Sequence, residues 1–156
     1  MKNKPFSFDA PEDSPGFLLW QTTVFWQRTI KKALDPHNIS HAQFVVIAIA
    51  LWWHHQEKDV TQANIVAMSK LDKMTVSKSL KKLVKMDLVA TRESQRDTRA
   101  KSVRLTKSGK ALATKLVPII ENIDETFFGK LPKKQEKDLI LALQKLTIIE
   151  DIDRGL

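Results

Sequence analysis

Apolar positions recur at helical spacing along most of this chain, and the period falls to two only around residues 89–105. Ser14-Pro15 reads as an N-cap followed by proline at the first helical position, where a missing N–H costs nothing. Phe17, Leu18, Gln21, Val24, Phe25, Arg28 and Ile30 continue that helix until Asp35-Pro36-His37-Asn38 forces a turn. Ser40-His41-Ala42-Gln43 fits a capping box, in which the Ser and Gln side chains each accept from the other's backbone N–H. It opens a strongly apolar helix running to about Trp53, expected to be the most buried element. Residues 1–13, with Asp9, Glu12, Asp13 and two prolines, read as a flexible N-terminal arm.

Val60 is a candidate strand residue, and Thr61 caps a short helix, Gln62 to Ser69, with Ile65, Val66 and Met68 expected to face inward. After the turn Lys70-Leu71-Asp72, Asp72 caps a helix from Lys73 to about Met86, so residues 61–86 read as helix-turn-helix. Val89 and Thr91, then Val103 and Leu105, alternate with polar neighbours on either side of the charged stretch Glu93 to Lys101, a hairpin with a long tip. Thr106 caps a helix from Lys107 to Phe128 with Leu112, Leu116, Ile119, Ile120, Ile123 and Phe127 on one stripe. Leu131-Pro132 separates it from a last helix, Lys133 to about Ile149, carrying Leu139, Ile140, Leu143 and Leu146. The prolines are expected to punctuate helices rather than interrupt them. The fold class is therefore mainly α with a small β-hairpin wing: a winged helix-turn-helix plus a helical region.

Composition narrows the chemistry. A chain of 156 residues, 42% hydrophobic, can bury one sizeable core. With no cysteine, disulfide scaffolds, thiolate zinc sites and thiol redox sensing are excluded. The longest apolar run, Phe44 to Trp53, is far short of the ~20 residues of a membrane span, and Met1 to Asp13 has no hydrophobic signal core, so a cytoplasmic, non-membrane protein is expected. Net charge is +8, a weak indicator of an anionic partner by itself. Its placement says more: residues 70–110 hold 13 Lys and Arg against Asp72, Asp87, Glu93 and Asp97, a local +9 that leaves the rest of the chain at −1.

On a helical projection of residues 73–86, Val76, Leu80, Leu83 and Val84 form one stripe, and Met74, Thr75, Lys78, Lys81, Lys82 and Lys85 face the opposite way. Four lysines on the outward face of the second helix of a helix-turn-helix suit entry into a major groove. Lys there reaches guanine O6/N7 or phosphate, and the Thr hydroxyl and Met methyl reach base edges. Thr75, Lys78, Met74 and Lys82 are candidates for base contact; Ser77, Lys81 and Lys101 are candidates for phosphate. A merely solvated lysine face has the same pattern, but the hairpin favours DNA. Its tip, with Arg92, Arg96, Arg99 and Lys101, suits a wing over the backbone or in the minor groove, and Asp97 is placed to hold and aim Arg99.

The stretches Thr61-Gln62-Ala63-Asn64-Ile65-Val66, Leu71-Asp72-Lys73-Met74-Thr75-Val76-Ser77-Lys78 and, above all, Asp97-Thr98-Arg99 followed by Leu105-Thr106-Lys107-Ser108-Gly109 resemble the MarR family of bacterial winged-helix transcriptional regulators. Ile39-Ser40-His41-Ala42-Gln43-Phe44 resembles that family's second-helix entry and Ser14-Pro15-Gly16-Phe17-Leu18-Leu19 its first helix, so the resemblance spans about residues 14–149. It implies a single domain over 14–156, with dimerisation helices at about 14–35 and 107–149 and the winged helix-turn-helix at about 40–106. It also implies a homodimeric, sequence-specific regulator of double-stranded DNA, most often a repressor, on a pseudo-palindromic operator. The apolar stripes of the C-terminal helices agree, being too apolar to leave open. One departure is Asp87, where the family usually has the Gly that a left-handed helix cap favours.

Many family members bind small aromatic anions between the dimerisation helices and the winged helix, which makes a small aromatic or phenolic effector a candidate partner. Trp20, His41 and Phe44 are the candidate cleft residues by their place on the first two helices; the competing role for the large aromatics is core and dimer packing. A metal site is not expected: His41 and His55 are about 21 Å apart if their helix is regular, and His54 and His55 point in different directions. No Gly-rich phosphate loop, nucleophile elbow or H-E-x-x-H is present, so neither an enzyme nor a cofactor is expected. The competing function is a winged helix that binds an acidic protein partner without sequence-specific DNA recognition.

Overall fold

The computed structural model describes residues 5–93 and 101–153. Its helices are α1 (Pro15–Leu34), α2 (His41–His55), α3 (Gln62–Ser69), α4 (Lys73–Lys85), α5 (Lys107–Phe128) and α6 (Lys133–Asp153). Three short strands, β1 (Val60–Thr61), β2 (Val89–Glu93) and β3 (Lys101–Leu105), form an antiparallel sheet in the order β1-β3-β2. Contacts separate two compact units, with the division between Ile119 and Ile120, inside α5.

The first unit is organised on α2. Ser40 Oγ accepts from Gln43 N at 3.2 Å while Gln43 Oε1 accepts from Ser40 N at 2.9 Å, so the capping box starts the helix where its sequence pattern places it. From there Phe44, Val46, Ile47, Ala50 and Leu51 are buried, and α2 touches α1, α3, α4, β1 and β3. Trp26 of α1 meets His41 edge-on, with ring centroids 5.2 Å apart. Asn64 rather than Glu or Gln closes the box at α3: its Oδ1 accepts from Thr61 N at 3.0 Å, and Thr61 Oγ1 accepts from Asn64 N at 3.1 Å.

Three side-chain expectations change. Met68 is 46% exposed, because α3 has only eight residues and turns Ile65 fully into the core; the Met68 sulfur instead accepts from Trp53 Nε1 at 2.9 Å. On α4 the buried face holds Ser79 with Val76, Leu80 and Leu83, while Val84 is 42% exposed, a rotation of the buried arc by about one side chain. Pro118 lies inside α5, where it interrupts the helix's hydrogen bonding: it has no N–H to offer the Thr114 carbonyl.

Asp87 adopts the left-handed conformation, φ 55°, that usually calls for Gly. Leu88 N donates to Leu83 O and Asp87 N to Val84 O, both at 3.0 Å, which makes this a Schellman C-cap with buried Leu88 against buried Leu83. The next junction builds on it. Thr106 N donates to Leu88 O at 3.1 Å, Thr106 Oγ1 donates to Asp87 O at 2.6 Å, and the same oxygen accepts from Gly109 N at 2.9 Å, capping α5. A Cβ on Gly109 would lie 1.8 Å from Leu88 O, so no other residue fits there without moving the backbone.

In the second unit the remainder of α5 ends at Gly129, whose N–H donates to Glu125 O at 2.9 Å. Phe127 and Phe128 stack edge-on at 5.1 Å, with Lys130 over the Phe127 ring. The apolar residues Ile140, Leu141, Leu143, Leu146 and Ile148 of α6 are exposed.

Two substitutions test the α4–β2–α5 junction. Gly109→Ala forces a methyl into a backbone carbonyl and should destabilise the protein by about 2–3 kcal/mol in urea unfolding. Asp87→Gly removes the cost of a left-handed L-residue and should stabilise by about 1 kcal/mol.

Candidate nucleic-acid interface

The helix-turn-helix is α3, the turn Lys70-Leu71-Asp72 and α4. Lys70 takes the left-handed conformation, φ 59°, and its N–H donates to Val66 O, ending α3 and turning the chain toward α4. Asp72 then caps α4 with both carboxylate oxygens: Oδ1 accepts from Thr75 N at 2.8 Å and Oδ2 accepts from Thr75 Oγ1 at 2.6 Å. These bonds, the side-chain one foremost, hold the Asp72 carboxyl below its ordinary value of 3.8.

With Val76, Leu80 and Leu83 turned into the core, the opposite side of α4 presents Lys78, Lys81, Lys82 and Lys85, all exposed, beside Met74 at 66% exposure. Thr75 and Ser77 are half-buried at its two flanks. None of these four lysines is in a salt bridge among the described residues. Four cations at i,i+3 and i,i+4 spacings repel one another and lower the stability of an isolated helix. Packing of the opposite face and the Asp72 cap offset that cost.

The hairpin pairs Val89 with Leu105, Thr91 with Val103 and Glu93 with Lys101. Lys101 therefore stands at the tip end of the paired strands, exposed. Arg96, Asp97 and Arg99, assigned to the wing tip from the sequence, lie outside the described residues. Arg104 of β3 is drawn to Asp59, 2.7 Å away, and Lys110 Nζ lies 3.0 Å from His54 Nε2. These two cations are accounted for by local partners that sequence spacing does not reveal.

The three candidate cleft residues are not brought together. Phe44 is buried in the core, Trp20 is 68% exposed on α1, and His41 alone of the three lines a cavity of about 530 Å³. Its other walls include Arg28 and Lys31 of α1 and Lys82 of α4, with Lys31 paired to Asp35 at 2.7 Å. Sequence reasoning missed Arg28 and Lys31, which nothing in the pattern of α1 separates from its remaining exposed cation, Lys32. Among the described residues, no three His, Cys, Asp or Glu side chains gather as a metal site, and no helix is long and apolar enough to cross a membrane.

A short capped helix, a tight turn, a second helix with a cationic outer face and an antiparallel hairpin directly after it define a winged helix-turn-helix protein. Residues 35–123 match the family described as ArnR1-like, winged-helix domain. The chain is 34% identical to the HTH-type transcriptional regulator YdcH of Bacillus subtilis, over 89% of this chain and 93% of that one. In structure it is similar to BpsR of Bordetella bronchiseptica, whose DNA binding is regulated by 6-hydroxynicotinic acid (TM-score 0.78, 24% identity, 92% of this chain and 98% of that one). It is also similar to MepR of S. aureus in complex with DNA (TM-score 0.77, 20% identity, 85% and 95%). The chain belongs to the MarR family of winged-helix transcriptional regulators, which are DNA-binding proteins and not enzymes.

Asp72→Ala should lower the melting temperature at neutral pH by removing both bonds to Thr75. Because the folded-state value is depressed, the stabilisation is fully present above the ordinary 3.8 and is lost as pH falls through the lower folded value. The difference in melting temperature between the two proteins should therefore shrink below pH 3.8, as measured by circular dichroism.

Proposed function

We propose that this regulator is a cytoplasmic homodimeric repressor that binds a pseudo-palindromic operator, with half-sites about one helical turn apart. The observation that carries this reading is the lysine face of α4, directly opposite the residues that anchor the helix in the core. Thr75, Lys78, Met74 and Lys82 read base edges; Ser77, Lys81 and Lys101 hold phosphate. Arg99, aimed by Asp97 and accompanied by Arg96, supplies the wing contact. Exposed apolar residues support self-association: Phe17, Leu18, Leu19, Trp20 and Phe25 on α1, and separately those of α6. The helices carrying them are those that the family likeness assigns to the dimer.

A small aromatic or phenolic anion is the proposed effector. The cavity beside His41 supports this reading through its cationic lining, Arg28 and Lys82, and the regulation of BpsR by an aromatic acid agrees with it. In a thermal-shift screen of aromatic carboxylic acids, any acid that stabilises the wild type should lose most of that effect in Arg28→Ala.

Selection of bound duplexes from a random pool tests the main reading: a two-fold-symmetric consensus is expected, and no enrichment would transfer the lysine face to an acidic protein partner. Lys78→Ala should cost on the order of 1–3 kcal/mol and relax one position of the consensus. Arg99→Ala should weaken operator binding with no change in melting temperature, and unchanged affinity at moderate salt would remove the wing assignment.

A further inference from the structure

The Thr75 hydroxyl has one proton, and it is committed. Thr75 Oγ1 donates to Asp72 Oδ2 at 2.6 Å, a short charge-assisted bond, while Asp72 Oδ1 takes the Thr75 backbone N–H at 2.8 Å. Redirecting the hydroxyl to a base would exchange a bond to a carboxylate for a weaker one to a neutral acceptor. What this end of α4 offers a base edge is therefore lone pairs: those left on Oγ1, next to an ionised carboxylate. Guanine O6 and N7, adenine N7 and thymine O4 are acceptors and are repelled there; the amino groups of cytosine and adenine are accepted.

The other end of the same stripe has the opposite character. Thr75, Lys78 and Lys82 lie at i, i+3 and i+7, within about 60° around the helix and roughly 10 Å along it. Both lysines are exposed, and an ammonium group can only donate.

Resting on the proposal above that α4 reads a duplex, we propose that its reading edge is polarised. Its N-terminal end, Thr75 backed by Asp72, selects a base bearing an exocyclic amino group, cytosine or adenine. The following stretch, Lys78 and Lys82, selects guanine within roughly the next three base pairs.

The test compares consensus sequences selected by wild type, Thr75→Val and Thr75→Ser, followed by affinities for duplexes with altered bases. Thr75→Val keeps the branched shape and removes the oxygen; Thr75→Ser keeps the oxygen and its bond to Asp72. One consensus position should relax in Thr75→Val and not in Thr75→Ser, and it should carry cytosine or adenine on the strand facing the helix. Replacing that base by its deamino analogue, 2-pyrimidinone for cytosine or purine for adenine, should weaken wild type and Thr75→Ser about fivefold and Thr75→Val not at all. Lys78→Ala or Lys82→Ala should relax a guanine nearby. The proposal is overturned if no position responds to Thr75→Val in a protein of normal melting temperature and salt dependence. It is equally overturned if Thr75 couples to N7 of a paired guanine, probed with 7-deazaguanine, or to a thymine methyl, probed with deoxyuridine. A wild-type selection with no symmetric consensus would instead remove the DNA-reading proposal itself.

Discussion

One backbone carbonyl, that of Leu88, sets the geometry of the DNA-binding region. It accepts from Thr106 N and occupies the space where any side chain on Gly109 would begin. It thus joins the end of the recognition helix, the start and end of the wing, and the first turn of α5. The carbonyl is presented there only because Asp87 accepts a left-handed conformation, and Thr106 secures that residue by donating to its carbonyl. Backbone hydrogen bonds between elements allow less play than side-chain packing. A shift of α5 at this point must move α4 or the wing with it, which gives the family's L-T-x-x-G pattern a mechanical meaning.

Charge placement shows a comparable exchange between stability and function. Residues 70–110 hold a net +9, concentrated on a helix whose exposed lysines repel one another. A helix selected for stability alone would pair those lysines with acidic residues at i,i+4. Instead the acidic residue nearest the face, Asp72, caps the first turn and orients Thr75. The stability of α4 comes from Val76, Leu80 and Leu83 on its other side, and its cationic face stays open to a polyanion.

Helix and strand boundaries were largely legible because their signals are local. Ser14, Ser40, Thr61, Asp72 and Thr106 each cap the helix expected of them, and the two strands of the hairpin lie where the pattern around Val89 and Val103 puts them, although on β2 only Val89 is buried. The errors lie where a local pattern meets a tertiary choice. Period alone placed Met68 and Val84 in the core, yet only Ile65 of α3 is fully buried, and the buried arc of α4 is rotated toward Ser79. Pro118 sits in a helix because helical packing on either side outweighs one missing hydrogen bond. Of the candidate cleft residues, Phe44 is buried, Trp20 is exposed and His41 lines the cavity with Arg28 and Lys82, placements that their neighbourhood in sequence does not encode.

The residues alone determined the element order, the helix-turn-helix, the charge of its outer face and the family, because these rest on caps, periods and composition, each expressed within a few residues. Tertiary structure decided which cations face solvent and which have partners: Arg104 is drawn to Asp59 and Lys110 to His54 across 45 and 56 residues. It also decided that Arg28, His41 and Lys82, from three helices, line one cavity. Those outcomes depend on side-chain direction and on distances between distant segments, quantities that no local pattern encodes.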